Sequence, residues 1–217
     1  MTVELRRRGY RRCENTVAKL MQAQGIRAKM DKRYKPRQWQ KGSKIAKPNL
    51  LADMPLPRPH EVWVADFTYT GYRGDYVYLS TIMDLGTRRI VGEDISKTRD
   101  ADLIVRTFRK AQRRHPEARP RIFHSDRGIE YANYKVVKML KKASIEQSMS
   151  GKGNCYDNAH MESFFHTYKS EMYYTEKFDG LEDFKKKTKQ YLRFYNKKRL
   201  HSSLGYMSPA DYAKSRA

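Results

Sequence analysis

Apolar and polar positions alternate clearly from residue 61 onward. Over residues 61–70, Val62, Val64, Asp66 and Thr68 fall on one face of an extended chain and Trp63, Ala65, Phe67 and Tyr69 on the other. Apolar residues on both faces predict a central strand that is covered on both sides. A turn at 71–75 leads to a second strand at 76–85. After Gly86 comes a third strand at 89–95, which gives an antiparallel meander. Asp100 or Ala101 opens a helix that runs to about Arg114, with Leu103, Ile104, Thr107, Phe108 and Ala111 on one face. The pattern then predicts a short strand at 121–124, a helix at 134–142, a strand at 145–148, a loop at 151–154, and helices at 157–174 and 181–198. Three strands followed by strand–helix alternation predict a mixed α/β sheet of five strands with helices on both faces.

The first 60 residues read differently. A helix capped by Asn15 carries Val17, Leu20, Met21 and Gln24 on one face and stops at Gly25. Residues 29–56 show no apolar periodicity and read as a basic linker. The chain then stiffens through Pro55, Pro57 and Pro59. Three parts are expected: a small helical basic segment at 1–28, the linker at 29–56, and a core at 57–217.

Charge sharpens this division. The 217 residues hold 46 Lys and Arg against 24 Asp and Glu, a net charge of +22. Residues 1–60 carry 16 of the bases and 4 of the acids, so just over half the excess lies in about a quarter of the chain. The partner implied is a polyanion, either a nucleic acid or an anionic membrane surface. With 39% hydrophobic residues and 26 Trp, Tyr and Phe, the chain can build a core, which argues against general disorder. No apolar run is long enough to span a bilayer, and the N-terminus lacks the apolar stretch of a secretory signal. Cys13 and Cys155 lack the spacing of a zinc site, and an intracellular, reducing setting fits this cysteine usage.

Three acids stand out against the basic background. Asp66 lies mid-strand among Val64, Ala65 and Phe67, where a carboxylate is costly unless paired or bound to a cation. The plainer reading is a partly exposed aspartate on an edge strand. Asp126 follows the 121–124 strand, at the strand end where α/β sheets collect ligand residues. It also suits an ordinary turn before Gly128. Glu162 lies on the 157–174 helix. There Met161, Phe164, Phe165, Tyr168 and Met172 form an apolar face, and Asn158, Glu162, His166 and Lys169 form a neighbouring stripe. Glu162 can look toward the sheet from that stripe, or it can be a boundary glutamate beside a lysine. Three hard-oxygen ligands on two strands and a helix suit Mg²⁺ or Mn²⁺. In two-metal phosphoryl transfer such acids hold the ions, and no covalent nucleophile is needed.

Several motifs resemble the integrase-like catalytic part of IS3-family insertion-sequence transposases. They are Trp63-Val64-Ala65-Asp66-Phe67-Thr68-Tyr69 and Phe123-His124-Ser125-Asp126-Arg127-Gly128 with Tyr131, then the stretch from Ser148 to Ala159 leading into Glu162-Ser163-Phe164-Phe165 and Lys169-Ser170-Glu171. A tail from Tyr195 to Tyr206, followed by Pro209, matches as well. The resemblance covers about residues 57–212. It implies an RNase H-like, retroviral integrase-like fold, a DDE triad at Asp66, Asp126 and Glu162, and bound Mg²⁺ or Mn²⁺. The reaction it implies is DNA strand cleavage and strand transfer at element ends: water, and later a DNA 3′-hydroxyl, attacks a phosphodiester in line.

The resemblance also places the family's basic residue at Lys169, near the DNA backbone. His166 and Asn158 are expected to position DNA or water. Asn196, Arg199 and His201 belong to the tail motif, with packing on the core favoured over DNA contact. His124 is expected to support its strand. Residues 5–10 and 16–26 are similar to the end of a helix-turn-helix-like segment, so the chain is expected to be N-terminally short. The partners implied are double-stranded DNA at the element ends and target, a protein from an upstream reading frame, and further copies of the chain on DNA. A prokaryotic, cytoplasmic and nucleoid-associated setting is expected, with no membrane partner. Two other readings are a truncated, catalytically silent DNA-binding repressor of transposition and an RNase H-type hydrolase of hybrids. The 148–159 and tail motifs favour the transposase.

Overall fold

The computed structural model describes residues 1–27, 47–52, 54–72, 75–151 and 158–216. Residues 29–46 and 53 of the expected linker at 29–56, the tip of the 71–75 turn, most of the 151–154 loop and Cys155 lie outside the described residues. The chain forms two compact units, residues 1–35 and 36–217.

In the first unit, α1 (Thr2–Arg7) precedes α2 (Glu14–Ala23). The N-cap of α2 is Cys13 and not Asn15, which lies in the first turn. Gly25 ends the helix as expected: its φ of +65° is cheap only for glycine, and it lets the Ile26 N–H reach back to the Met21 carbonyl at 2.8 Å. Val17 is buried, whereas Leu20 on the expected apolar face is exposed.

The second unit holds a five-stranded sheet. β1 (Val62–Tyr72), β2 (Asp75–Asp84) and β3 (Ile90–Ser96) form the antiparallel meander. After α3 (Ala101–Arg114) comes β4 (Ile122–Ser125), which pairs parallel to β1. After α4 (Tyr134–Lys142) comes β5 (Glu146–Met149), parallel to β4. The order β3-β2-β1-β4-β5 puts β1 in the centre. Helices start where caps allow: Asp100 accepts from the Leu103 N–H at 2.8 Å to open α3, and Asn133 accepts from Lys135 at 3.0 Å to open α4.

The two faces of β1 divide the core. Trp63 and Ala65, with Phe123, pack under Ile104, Phe108, Val136 and Leu140 of α3 and α4. Val62 and Val64, with Ile122, pack under α5 (Ala159–Tyr168) and α6 (Leu181–Lys197), through Phe164, Tyr168 and Leu192. The expected long helix from 157 to 174 is divided. α5 stops at Tyr168, and Lys169–Tyr173 forms a wider π-type turn. The Ser170 hydroxyl bonds back to the His166 and Thr167 carbonyls at 2.9 and 3.2 Å, competing with the backbone amides and loosening the turn. A final helix, α7 (Pro209–Ser215), was not legible in the apolar pattern; the Ser208 side chain caps it. Among the described residues no helix is long and apolar enough to cross a membrane.

α3 lies close on β3 at Gly92. A Cβ there would stand 2.8 Å from Ala111 Cβ and 2.8 Å from the Thr107 carbonyl oxygen, and neither is the end of a flexible side chain. Gly92→Ala is therefore expected to destabilise the fold by about 1–3 kcal/mol through overpacking. Chemical denaturation would detect this as a lower midpoint at an unchanged slope.

Candidate active site

The parallel ladder builds the site. β1 and β4 pair from Val62↔Ile122 to Ala65↔Ser125. Asp66 and Asp126 are the next residue on each chain, so they lie just beyond the last pair, where the two chains leave the ladder side by side. β1 continues past this point against β2, with Asp66 opposite Thr81. Asp66 thus sits on a rigid strand with its β4 side open. It shares a face with Val62 and Val64, the face that α5 covers.

Each carboxylate is held by a local backbone donor. The Phe67 N–H donates to Asp66 Oδ1 at 2.7 Å, and the Gly128 N–H to Asp126 Oδ1 at 2.9 Å. The turn reading of Asp126 therefore holds, and this Asx turn fixes a carboxylate whose charge reaches Asp66. A Cβ at Gly128 would come within 2.9 Å of Asp126 Oδ1 and 3.0 Å of Glu130 Oε2, so a larger residue there would displace these carboxylates.

The electrostatics are those of crowded acids. Burial, followed by the Asp126 charge and more weakly by Glu162, pushes Asp66 well above the ordinary carboxylate pKa, against the Phe67 N–H and Arg99. Burial also raises Asp126, opposed by the Gly128 N–H and Arg99. Glu162, exposed on the first turn of α5, comes within electrostatic reach of Asp66. The three acids thus converge without closing tightly. Among the described residues only His60, His115 and Glu117 bring three ligand atoms within 4.8 Å of one another. Wider separation suits acids that share two ions about 3.5–4 Å apart.

Lys169 also reaches this site. It is buried, with Nζ 5.0 Å from the centre of the Tyr69 ring on β1, and burial lowers its pKa while Tyr69 and Asp66 favour its charge. His166 is half-buried one turn after Glu162. Asn158 is buried, and its Oδ1 has no partner among the described residues. The structure gives Arg199 an internal partner instead of an open face. Its guanidinium grips Glu171 in the π-type turn at 2.8 and 3.0 Å, and Glu171 also accepts from the Tyr191 hydroxyl at 2.9 Å. Asn196 clamps β3 through both the N–H and the carbonyl of Ile90, at 2.9 and 2.8 Å. His124 is fully buried between Ser148 and Ser150, at 2.8 and 3.2 Å.

Two further residues act on the aspartates: Arg99, which was not singled out from the sequence, and Tyr131, which stood only as part of a motif. Arg99, just before the α3 cap, pairs with Glu130 at 2.9 Å and lies 5.4 Å from the Phe67 ring centre, and its charge acts on both aspartates. Nothing in its local pattern distinguishes it from the other surface arginines. Tyr131 is fully buried with an unpartnered hydroxyl, and burial, Asp66 and Asp126 all raise its pKa.

The raised Asp66 pKa has a consequence for stability. The folded state holds this proton more tightly than the unfolded chain, so stability falls as pH rises from the ordinary carboxylate value through the raised one. Asp66→Asn keeps the acceptor for Phe67 and removes the charge. Without metal it is expected to melt above wild type at neutral pH, with the gap closing below about pH 3.8. Melting curves across pH check this, and a lower-melting variant at neutral pH would contradict it.

Comparison with known proteins gives the same picture. Integrase core domain families match residues 57–155 and 143–209. The chain is 34% identical over 214 residues to the transposase InsF for insertion sequence IS3A of Escherichia coli K12, covering 98% of this chain and 74% of that one. Its fold is similar to a chain of the simian T-cell lymphotropic virus intasome in complex with PP2A regulatory subunit B56 gamma, with a TM-score of 0.62 and 14% identity over 93% of this chain and 70% of that one. It is also similar to the HTLV-2 integrase catalytic core domain in complex with magnesium, with a TM-score of 0.53 and 13% identity over 72% of this chain and 97% of that one. The mixed sheet is thus the RNase H-like sheet of integrase cores, and the chain belongs to the IS3 family of insertion-sequence transposases.

Proposed function

We propose that Asp66, Asp126 and Glu162 are the catalytic carboxylates of this transposase and that they hold Mg²⁺ or Mn²⁺ while DNA strands are cut and joined at element ends. The observation that carries the reading is the Asp66–Asp126 pair. Two acids are fixed side by side on a largely covered sheet, one raising the pKa of the other, in a chain of net charge +22. The donor set fits a hard divalent ion: three carboxylates, without a thiol or imidazole among them. Such ions stabilise the attacking and leaving oxygens of an in-line displacement at phosphorus.

Asp66 would hold one ion together with Asp126 and the second together with Glu162. Lys169, held between Asp66 and the Tyr69 ring, offers its ammonium to a DNA phosphate next to the scissile bond. His166 and Asn158, on the same side of α5, position DNA or water. Arg199, engaged by Glu171, steadies the turn that carries Lys169. The substrate is double-stranded DNA, and the basic residues before the core add phosphate contacts that are independent of sequence. Assembly of several copies on DNA fits a reaction at paired ends.

The test is Mg²⁺-dependent nicking of a duplex that carries the element's ends. Asp126→Asn is expected to lower the rate on the order of a thousandfold, as several kcal/mol of charge stabilisation disappear. The same variant should bind the duplex with a salt dependence like that of wild type. Undiminished nicking by the variant would overturn the assignment.

A further inference from the structure

A second cluster lies at the opposite end of the sheet. β1 and β4 run parallel, so their starts lie together, about 13 Å along the strand from Asp66. His60 comes two residues before β1, His115 is the C-cap of α3, and Glu117 lies in the connection to β4. The ligand atoms of these three side chains fall within 4.8 Å of one another. His115 Nδ1 stands 3.3 Å from Glu117 Oε1, and His60 Nε2 stands 3.8 Å from the same oxygen. A tetrahedral zinc site with bonds of about 2.0–2.1 Å has ligand-to-ligand edges of about 3.3–3.4 Å, so little movement is needed to close on an ion.

The surroundings are also those of a ligand set. His60 Nδ1 is buried without a hydrogen bond and faces Asp84 Oδ2 at 3.8 Å. Asp84 is fully buried and fixed by the His60 N–H at 3.2 Å, the Gly86 N–H at 3.2 Å and the Thr87 hydroxyl at 2.7 Å. One ring nitrogen of His60 thus looks to a buried carboxylate and the other to Glu117, the arrangement that orients metal-bound histidines. The backbone of His60 is held at φ +63°, a conformation seldom adopted by a residue with a side chain. The two rings lie 5.6 Å apart, and Glu117 is exposed, which leaves one side open to a fourth ligand. Arg89 and His60 are the charges that oppose protonation of His115, and Glu117 favours it.

We propose that His60, His115 and Glu117 bind one Zn²⁺, with Asp84 orienting His60 and water completing the site. Two imidazoles and one carboxylate are a zinc donor set, unlike the all-oxygen set at the other end of the sheet. The ion would tie the entry to β1, the end of α3 and the approach to β4. It would thereby pin the starts of the two strands whose far ends carry Asp66 and Asp126. The inference does not depend on how those acids act.

The test uses the full chain, stripped of metal and titrated with Zn²⁺ in excess Mg²⁺, which fills oxygen sites and not imidazole ones. One saturable equivalent is expected, with a raised melting temperature and, for Co²⁺ in its place, the visible absorption of a tetrahedral ion. Glu117→Gln changes an exposed residue. It should weaken zinc binding more than tenfold while leaving the metal-free melting temperature unchanged, and Cys13→Ser should leave binding intact. The proposal is overturned if no saturable zinc binds, if Glu117→Gln binds as wild type does, or if Cys13→Ser abolishes binding.

Discussion

The parallel pairing of β1 with β4 is the constraint on which the rest of the core depends. It ends at Ala65 and Ser125, so the next residue on each chain, Asp66 and Asp126, leaves the ladder beside the other. That placement is unfavourable for two carboxylates, and it persists because the strands are fixed from both sides. Trp63, Ala65 and Phe123 are locked under α3 and α4, and Val62, Val64 and Ile122 under α5 and α6. Burial of the apolar faces thus stabilises a polar end that would not hold together alone. Asp66 carries the cost as a raised pKa, and a bound cation is what would relieve it.

The remaining parts of the site hang on this pair. α5 brings Glu162 over the same face, while its apolar stripe, Met161, Phe164 and Tyr168, fills the core beneath. The π-type turn then brings Lys169 against Tyr69. Glu171 in the same turn is gripped by Arg199 and Tyr191. The tail therefore acts on the site indirectly. Asn196 bolts α6 to β3, Arg199 holds the turn, and the turn holds Lys169. Arg199 is thus already paired with a carboxylate inside the fold.

Much of this could be read from the sequence. The two-faced apolar pattern around Asp66 marked β1 as central, and the Asp100 cap fixed the start of α3. The apolar stripe from Met161 to Met172 was also legible, because a buried helix face leaves a direct periodic trace. Other features left none. The division of the helix at Lys169 arises from a serine hydroxyl bonding to its own turn. α1 and α7 are too short for periodicity to declare them. The role of Arg99 depends on a loop passing over Phe67 and Glu130, which no local pattern encodes. The pairing of His60 with His115 and Glu117 likewise arises only when β1 and the α3–β4 connection meet.

The central claim is that the Asp66–Asp126 pair exists to hold a divalent cation. The most direct measurement is anomalous diffraction from crystals of the chain grown with Mn²⁺. The account predicts an anomalous peak bonded by carboxylate oxygens of both Asp66 and Asp126. An ordered pair without such a peak at saturating Mn²⁺, or Mn²⁺ found only elsewhere on the chain, would contradict it.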